Sequence, residues 1–210
     1  MTVATSSLVH ALAARADSRG AARAISFASV LFVAAATAAA AQVSLPLPFT
    51  AVPLTLQHIV VLAGGLLLGS RLGMASQMLY LAAGVAGMQV FTPSVTLPPG
   101  ALRLLGPTGG YLMAYPFAAF AVGYLAERGF GRRYATSVVA MLAGLAIVYA
   151  CGTTWLALFA RAAGTQNAAI GFQAALAAGV YPFALLDVMK VAIAAATAPA
   201  LWALAGTERR

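Results

Sequence analysis

Charge is scarce in this chain. Asp, Glu, Lys and Arg make up only 8% of its 210 residues, against roughly 25% in soluble domains, whose surfaces those groups cover. There are four acidic residues, one lysine (Lys190), two histidines (His10 and His58) and one cysteine, Cys151. A single cysteine excludes an internal disulfide and a cysteine-based metal cluster. With so few histidines and acids, no metal site is readable, and neither His-Glu-x-x-His nor a Gly-x-Ser-x-Gly nucleophile elbow occurs. A phosphate-binding loop needs Gly-Lys-Ser/Thr, whereas Lys190 follows Met189, so the chain has no ATPase motif. The balance of 12 basic to 4 acidic residues gives +8. Those charges lie between long apolar tracts rather than on one polar face, which argues against a nucleic-acid partner. What is abundant is apolar: 62% of residues. A soluble enzyme, a disordered chain and a disulfide scaffold are excluded, and an integral membrane protein is indicated.

The charges themselves mark where the chain turns. No charged residue lies between Arg23 and Arg71, Arg71 and Arg103, Arg103 and Glu127, Arg133 and Arg161, Arg161 and Asp187, or Lys190 and Glu208. A membrane-spanning helix needs roughly 20 apolar residues to cross about 30 Å of hydrocarbon. Six spans follow: Ala24–Ala41, Leu54–Gly69, Leu72–Phe91, Pro107–Ala126, Tyr134–Phe159 and Gly179–Leu204. The first two are separated by Ser44–Pro53, where Pro46, Pro48 and Pro53 oppose helix. Ala160–Ala178 reads as a loop with room for a short interfacial helix. The expected architecture is an all-α membrane protein. A cytoplasmic N-terminal arm (1–23) precedes a six-helix transmembrane domain (24–204), and a cytoplasmic tail (205–210) follows. The arm is polar and basic, read as a short amphipathic or disordered piece at the membrane surface, and the first apolar run is too long for a signal peptide. With both termini cytoplasmic, the inside carries nine basic residues (Arg15, Arg19, Arg23, Arg71, Arg128, Arg132, Arg133, Arg209 and Arg210) and the outside two, Arg103 and Arg161.

Ionisable groups inside a span require a reason, since each costs roughly 2.5–3.5 kcal/mol at the bilayer centre on insertion scales. Asp187 and Lys190 lie three apart on one face of the sixth helix. Asp187 is about 12 Å from the helix start at 1.5 Å per residue, hence in the outer half. Two readings are open: an ion pair that survives by mutual neutralisation, or a polar-ligand site with Asp187 as acceptor and Lys190 as donor. Arg103 stands alone among the apolar neighbours of Gly100-Ala-Leu-Arg-Leu-Leu-Gly106, a setting suited to gripping a carboxylate or carbonyl. Immediately after it, Gly106-Pro-Thr-Gly-Gly-Tyr111 reads as a turn and a helix start, and also as bare amides at the positive end of a helix. His58 either lines a cavity or packs at the interface; Cys151, Trp155 and Trp202 read as packing residues.

Several of these segments resemble one family: the biotin-specific substrate-binding component, BioY, of energy-coupling factor (ECF) vitamin transporters. The resemblance rests on Ser44-Leu-Pro-Leu-Pro-Phe-Thr50, Val52-Pro-Leu-Thr-Leu-Gln57, Gly64-Gly-Leu-Leu-Leu-Gly69, Tyr80-Leu-Ala-Ala-Gly-Val-Ala-Gly87 with Val90-Phe91, Gly106-Pro-Thr-Gly-Gly-Tyr111, and Tyr181-Pro-Phe-Ala-Leu-Leu-Asp-Val-Met-Lys190. It implies a multi-pass protein of the bacterial inner (plasma) membrane. Biotin would enter a cavity near the outer face, closed by the Gln42–Pro53 loop. The family's polar contacts would fall on Arg103, Asp187 and Lys190, with Gln57 and Tyr111 as further contacts and Phe49 and Phe91 as apolar walls. No cofactor is implied; biotin is the transported ligand. The implied partners are a transmembrane coupling (T) protein and ATP-binding subunits, docked through a small-residue stripe that includes Ala24 and Ala28. A solitary or oligomeric secondary transporter, with Asp187 as a proton-coupling acid, is the alternative, and homo-oligomerisation stays open.

Overall fold

The structure, a computed structural model, describes residues 7–94, 97–159 and 171–205. Its helices are α1 (Leu8–Ala13), α2 (Arg19–Gln42), α3 (Gln57–Leu68), α4 (Ser70–Val85), α5 (Gly109–Glu127), α6 (Tyr134–Phe159), α7 (Phe172–Gly179), α8 (Tyr181–Ala194) and α9 (Thr197–Leu204). Arg161, Glu208, Arg209 and Arg210 lie outside the described residues, and so does most of the Ala160–Ala178 stretch; its end forms α7.

Among the described residues, four segments are long and apolar enough to cross a membrane: α2, α5, α6 and the run Tyr181–Leu204 that joins α8 to α9. The family of helices expected at 54–69 and 72–91 is present but shorter. The α3 helix has 12 residues and α4 has 16, about 18 and 24 Å at 1.5 Å per residue. The reason lies at their junction. Gly69 adopts φ 87°, a left-handed conformation that turns the chain sharply from α3 into α4. A Cβ there would also meet Glu127 Oε1 at 2.5 Å and Ser7 Oγ at 2.9 Å. The two helices then run side by side, with Gly73 against Gly65 and no side chain between them.

Three further details differ from the sequence expectation. The fold is mostly helical, as expected, but it includes one short ribbon: Ser44–Leu45 (β1) pairs antiparallel with Leu54–Thr55 (β2), Ser44 opposite Thr55 and Leu45 opposite Leu54. Leu54 and Thr55 therefore belong to a hairpin rather than to the second span. The proline-rich connection lacks too many backbone donors for helix, and its two arms satisfy each other across the ribbon instead. The sixth span is broken at Ala195–Ala196, because Pro199 cannot donate to the Ala195 carbonyl and its ring crowds it; Thr197 Oγ1 donates to the Ala194 carbonyl at 2.7 Å. Lastly, the N-terminal arm takes the first of its two expected forms, a short helix with Leu8, Val9 and Ala11 buried, and α2 starts within the arm rather than at Ala24. In α1 Leu8 and Ala11 pack on Trp202, and Val9 packs on Val33 and Leu68. The α2 helix begins at Arg19, with Ser18 Oγ accepting from the Ala21 amide at 3.1 Å.

The α5 helix is the centre of the bundle, packed between α6 on one side and α3 and α4 on the other. Close approach depends on small residues: a Cβ on Gly123 would run into the Gly69–Ser70 backbone. Glu127, Gly69, α1 and α9 gather at one end of the bundle, with Arg15 on the Ala205 carbonyl at 2.8 Å and Arg132 over the Trp202 ring at 4.1 Å. Tyr111 marks the other end, about 24 Å away along α5.

Candidate functional site

At the Tyr111 end the bundle encloses a cavity of about 640 Å³, a size that suits a small organic ligand. Its roof is the hairpin and its loop, from Ser44 to Thr55. Gln57 and His58 at the start of α3 form one wall; Phe91–Ser94, Leu97, Arg103 and Thr108 form another; Tyr111, Leu112 and Tyr115 of α5 form the floor. The Gly-Pro-Thr-Gly-Gly segment brings α5 in at this level: a Cβ on Gly109 would strike the Leu104 carbonyl, and one on Gly110 would strike Trp155.

Four expected residues line the cavity. Gln57 is buried and held on three sides: its Nε2 donates to Tyr80 Oη at 2.7 Å, and its Oε1 accepts from Tyr115 Oη at 3.2 Å and Thr92 Oγ1 at 3.3 Å. Arg103 donates to the Thr92 carbonyl. Burial lowers its pKa from the ordinary arginine value, and no carboxylate pairs with it among the described residues. Tyr111 lends its ring, while its hydroxyl donates to the Gly179 carbonyl at 3.0 Å. Phe91 is buried edge-on against Tyr80, ring centroids 5.4 Å apart.

Asp187 and Lys190 are one layer further back. Asp187 is 2% exposed: its Oδ2 meets Tyr149 Oη at 2.7 Å and His58 Nδ1 at 3.2 Å, and its Oδ1 meets Lys190 Nζ at 2.9 Å. Lys190 also donates to the Thr55 carbonyl at 2.9 Å. The expected ligand pair is thus covered by His58 and Thr55, which do line the cavity. Phe49 is not brought to the site: its ring is 67% exposed on the hairpin loop. That loop is tied down by its neighbour Thr50, whose hydroxyl donates to the Ala178 carbonyl at 2.7 Å.

Thr92, Tyr115 and Tyr149 are residues of the site that the sequence does not single out, and of the two readings open for His58 its position at the cavity wall fits the first. Tyr149 is one of several hydroxyl-bearing residues of α6, beside Tyr134, Thr136, Ser137, Thr153 and Thr154, so nothing in the sequence singles it out as the donor that a buried carboxylate needs. Thr92 and Tyr115 carry no mark either. Ala24 and Ala28 are exposed on α2, and no group of three or more His, Cys, Asp or Glu residues converges among the described residues.

The sequence profile of the BioY family matches residues 11–207. The chain belongs to the BioY family. It is 39% identical over 165 residues to the probable biotin transporter BioY of Pyrococcus horikoshii, covering 78% of this chain and 87% of that one. It is 32% identical over 149 residues to the biotin transporter BioY of Thermotoga maritima, covering 71% and 80%. The fold matches a solved S-component for biotin from an ECF-type ABC transporter with a TM-score of 0.74, 24% identity, and coverage of 89% of this chain and 94% of that one. Membership in the BioY family makes this a multi-pass membrane protein of transporter type.

Proposed function

We propose that the protein is the biotin-binding membrane subunit of an ECF-type uptake transporter, a binding component and not an enzyme. The observation that carries this reading is the cavity itself: a guanidinium that meets no carboxylate among the described residues, one fixed polar wall and aromatic surfaces between them. Biotin has the matching parts. Its valerate carboxylate suits Arg103, a cation without a carboxylate partner among the described residues. Its thiophane ring suits Phe91 and Tyr111, and its ureido group suits the wall built by Gln57 and His58. In this assignment Asp187 and Lys190 hold that wall in position and lend it their charge from behind.

Six spans with both termini cytoplasmic fit the distribution of basic residues, which gathers Arg15, Arg71, Arg128 and Arg132 at the end opposite the cavity. The cavity then opens outward in a bacterial inner membrane. Transport energy comes from ATP-binding subunits joined through a T protein, with Ala24 and Ala28 on the exposed face of α2 as its docking stripe. The solitary-transporter reading needs Asp187 to exchange protons, a role poorly served by a carboxylate held by three donors.

Equilibrium binding of labelled biotin to the purified protein tests the reading. A dissociation constant below micromolar is expected; its absence removes biotin as the ligand. Uptake in cells lacking every T protein and partner ATPase separates the two transport modes, since accumulation against a gradient there requires solitary transport.

A further inference from the structure

We propose that His58 is a direct, specificity-setting contact of the ligand: its Nδ1–H is donated to Asp187, so that Nε2 remains as an acceptor at the cavity wall and receives a ureido N–H. This rests on the biotin reading above and deepens it, assigning to one atom of the Gln57–His58 wall a single hydrogen bond and its direction.

The tautomer follows from the partners. An ionised carboxylate only accepts hydrogen bonds, so the His58 nitrogen 3.2 Å from Asp187 Oδ2 must carry the proton. In a neutral imidazole the other nitrogen, Nε2, is then an acceptor. A neutral ring suits this cluster, because Asp187 is already matched by Lys190 at 2.9 Å and a second cation beside it would leave a net positive charge. Nε2 has no hydrogen-bond partner among the described residues, and it is not among the buried polar atoms left without one. The ring lines the cavity and is 15% exposed.

Its orientation is over-determined. Asp187 is fixed by Tyr149 and Lys190. Tyr115 and Tyr149 pack edge-on against the imidazole, with centroids 5.9 and 6.3 Å away. A ureido group brings two N–H donors, and each needs an acceptor once water is displaced. Gln57 Oε1 is already occupied by the Tyr115 and Thr92 hydroxyls. His58 Nε2 is the side-chain acceptor on the same wall that stands unoccupied and held in place. Asp187 thereby acts through His58, which explains a charged pair kept directly behind the cavity.

The test compares biotin with its two mono-N-methyl ureido derivatives in competition binding. The proteins are the wild type, His58→Phe and, as a control, Glu127→Ala, which removes the hydrogen bonds of the other carboxylate at the opposite end of the bundle. The wild type is expected to bind biotin about tenfold or more tightly than one of the derivatives. His58→Phe should weaken biotin about tenfold and abolish that preference, whereas Glu127→Ala should keep it. A preference that survives in His58→Phe, or unchanged biotin affinity there, overturns the proposal. A wild type that binds no biotin below micromolar removes the functional reading itself, and this is seen before any variant is compared. A second measurement does not depend on the variant folding. With only His10 and His58 in the chain, 15N-histidine labelling resolves the ring, His10→Ala giving the assignment. An unprotonated Nε2 whose resonance moves with biotin but not with pentanoate is expected; a protonated Nε2 overturns the tautomer and the proposal.

Discussion

Asp187 and Glu127 are two carboxylates held within the helical bundle, one at each end, and their surroundings differ. Glu127 reaches across from α5 to the start of α4, where its Oε1 accepts from the Ser70 amide at 2.8 Å and both its oxygens from the Ser70 hydroxyl. It serves as the N-terminal cap that Gly69 has no side chain to supply. Asp187 caps nothing. It gathers a histidine, a tyrosine and a lysine, and two of these connect it to the wall of the cavity through the His58 ring and the Thr55 carbonyl. A carboxylate whose donors end in backbone is architecture; one whose donors end at an internal surface conveys its charge to whatever occupies that surface.

Breaking each end should therefore give different losses. The largest effect is expected from Asp187→Asn, which strands the Lys190 ammonium in a low-dielectric site and costs about 3–5 kcal/mol. Thermal unfolding in detergent reads this directly. The double variant Asp187→Leu/Lys190→Met should recover most of the stability and none of the biotin affinity; recovered affinity would show that the pair is purely structural. Arg103→Ala comes next: biotin binding should fall at least tenfold with the melting temperature held, as expected for losing a charged hydrogen bond worth about 1.5–3 kcal/mol. Unchanged affinity would place the carboxylate elsewhere. Glu127→Ala should cost about 0.5–2 kcal/mol of stability as a lost cap, while biotin affinity stays within twofold. If affinity falls further, the two ends are coupled and the contrast between the carboxylates fails. The smallest effect belongs to Phe49→Ala on the exposed loop, where neither stability nor binding should change measurably.

Much of the fold could be read from pattern. Tyr134–Phe159 matches its helix to the residue, because nothing inside it competes with apolar helix and charges bound it. Where turn chemistry intervenes, pattern misleads: the apolar Leu54–Thr55 looks like the start of a span but is a strand, and Tyr80–Phe91 looks continuous although α4 stops at Val85. Site residues show the same division. Arg103, Asp187 and Lys190 stood out because charge is expensive in an apolar chain, and Gln57 and Tyr111 through the motifs that hold them. His58 is left open by the sequence, between cavity lining and packing. Its importance comes from residues 129 and 91 positions away, Asp187 and Tyr149, and no local pattern relates them.

The sequence by itself determined a membrane protein of helical segments, with basic residues sorted to one end and three costly charges away from it. Hydropathy and charge are local properties, summed residue by residue, and they survive without coordinates. Only the tertiary structure decided that Arg103 faces the cavity while Asp187 and Lys190 stand behind its wall, that Phe49 faces away, and that His58 stands between the buried charges and the ligand space. Those outcomes depend on which side chains compete for the same few ångströms, and packing alone settles that competition.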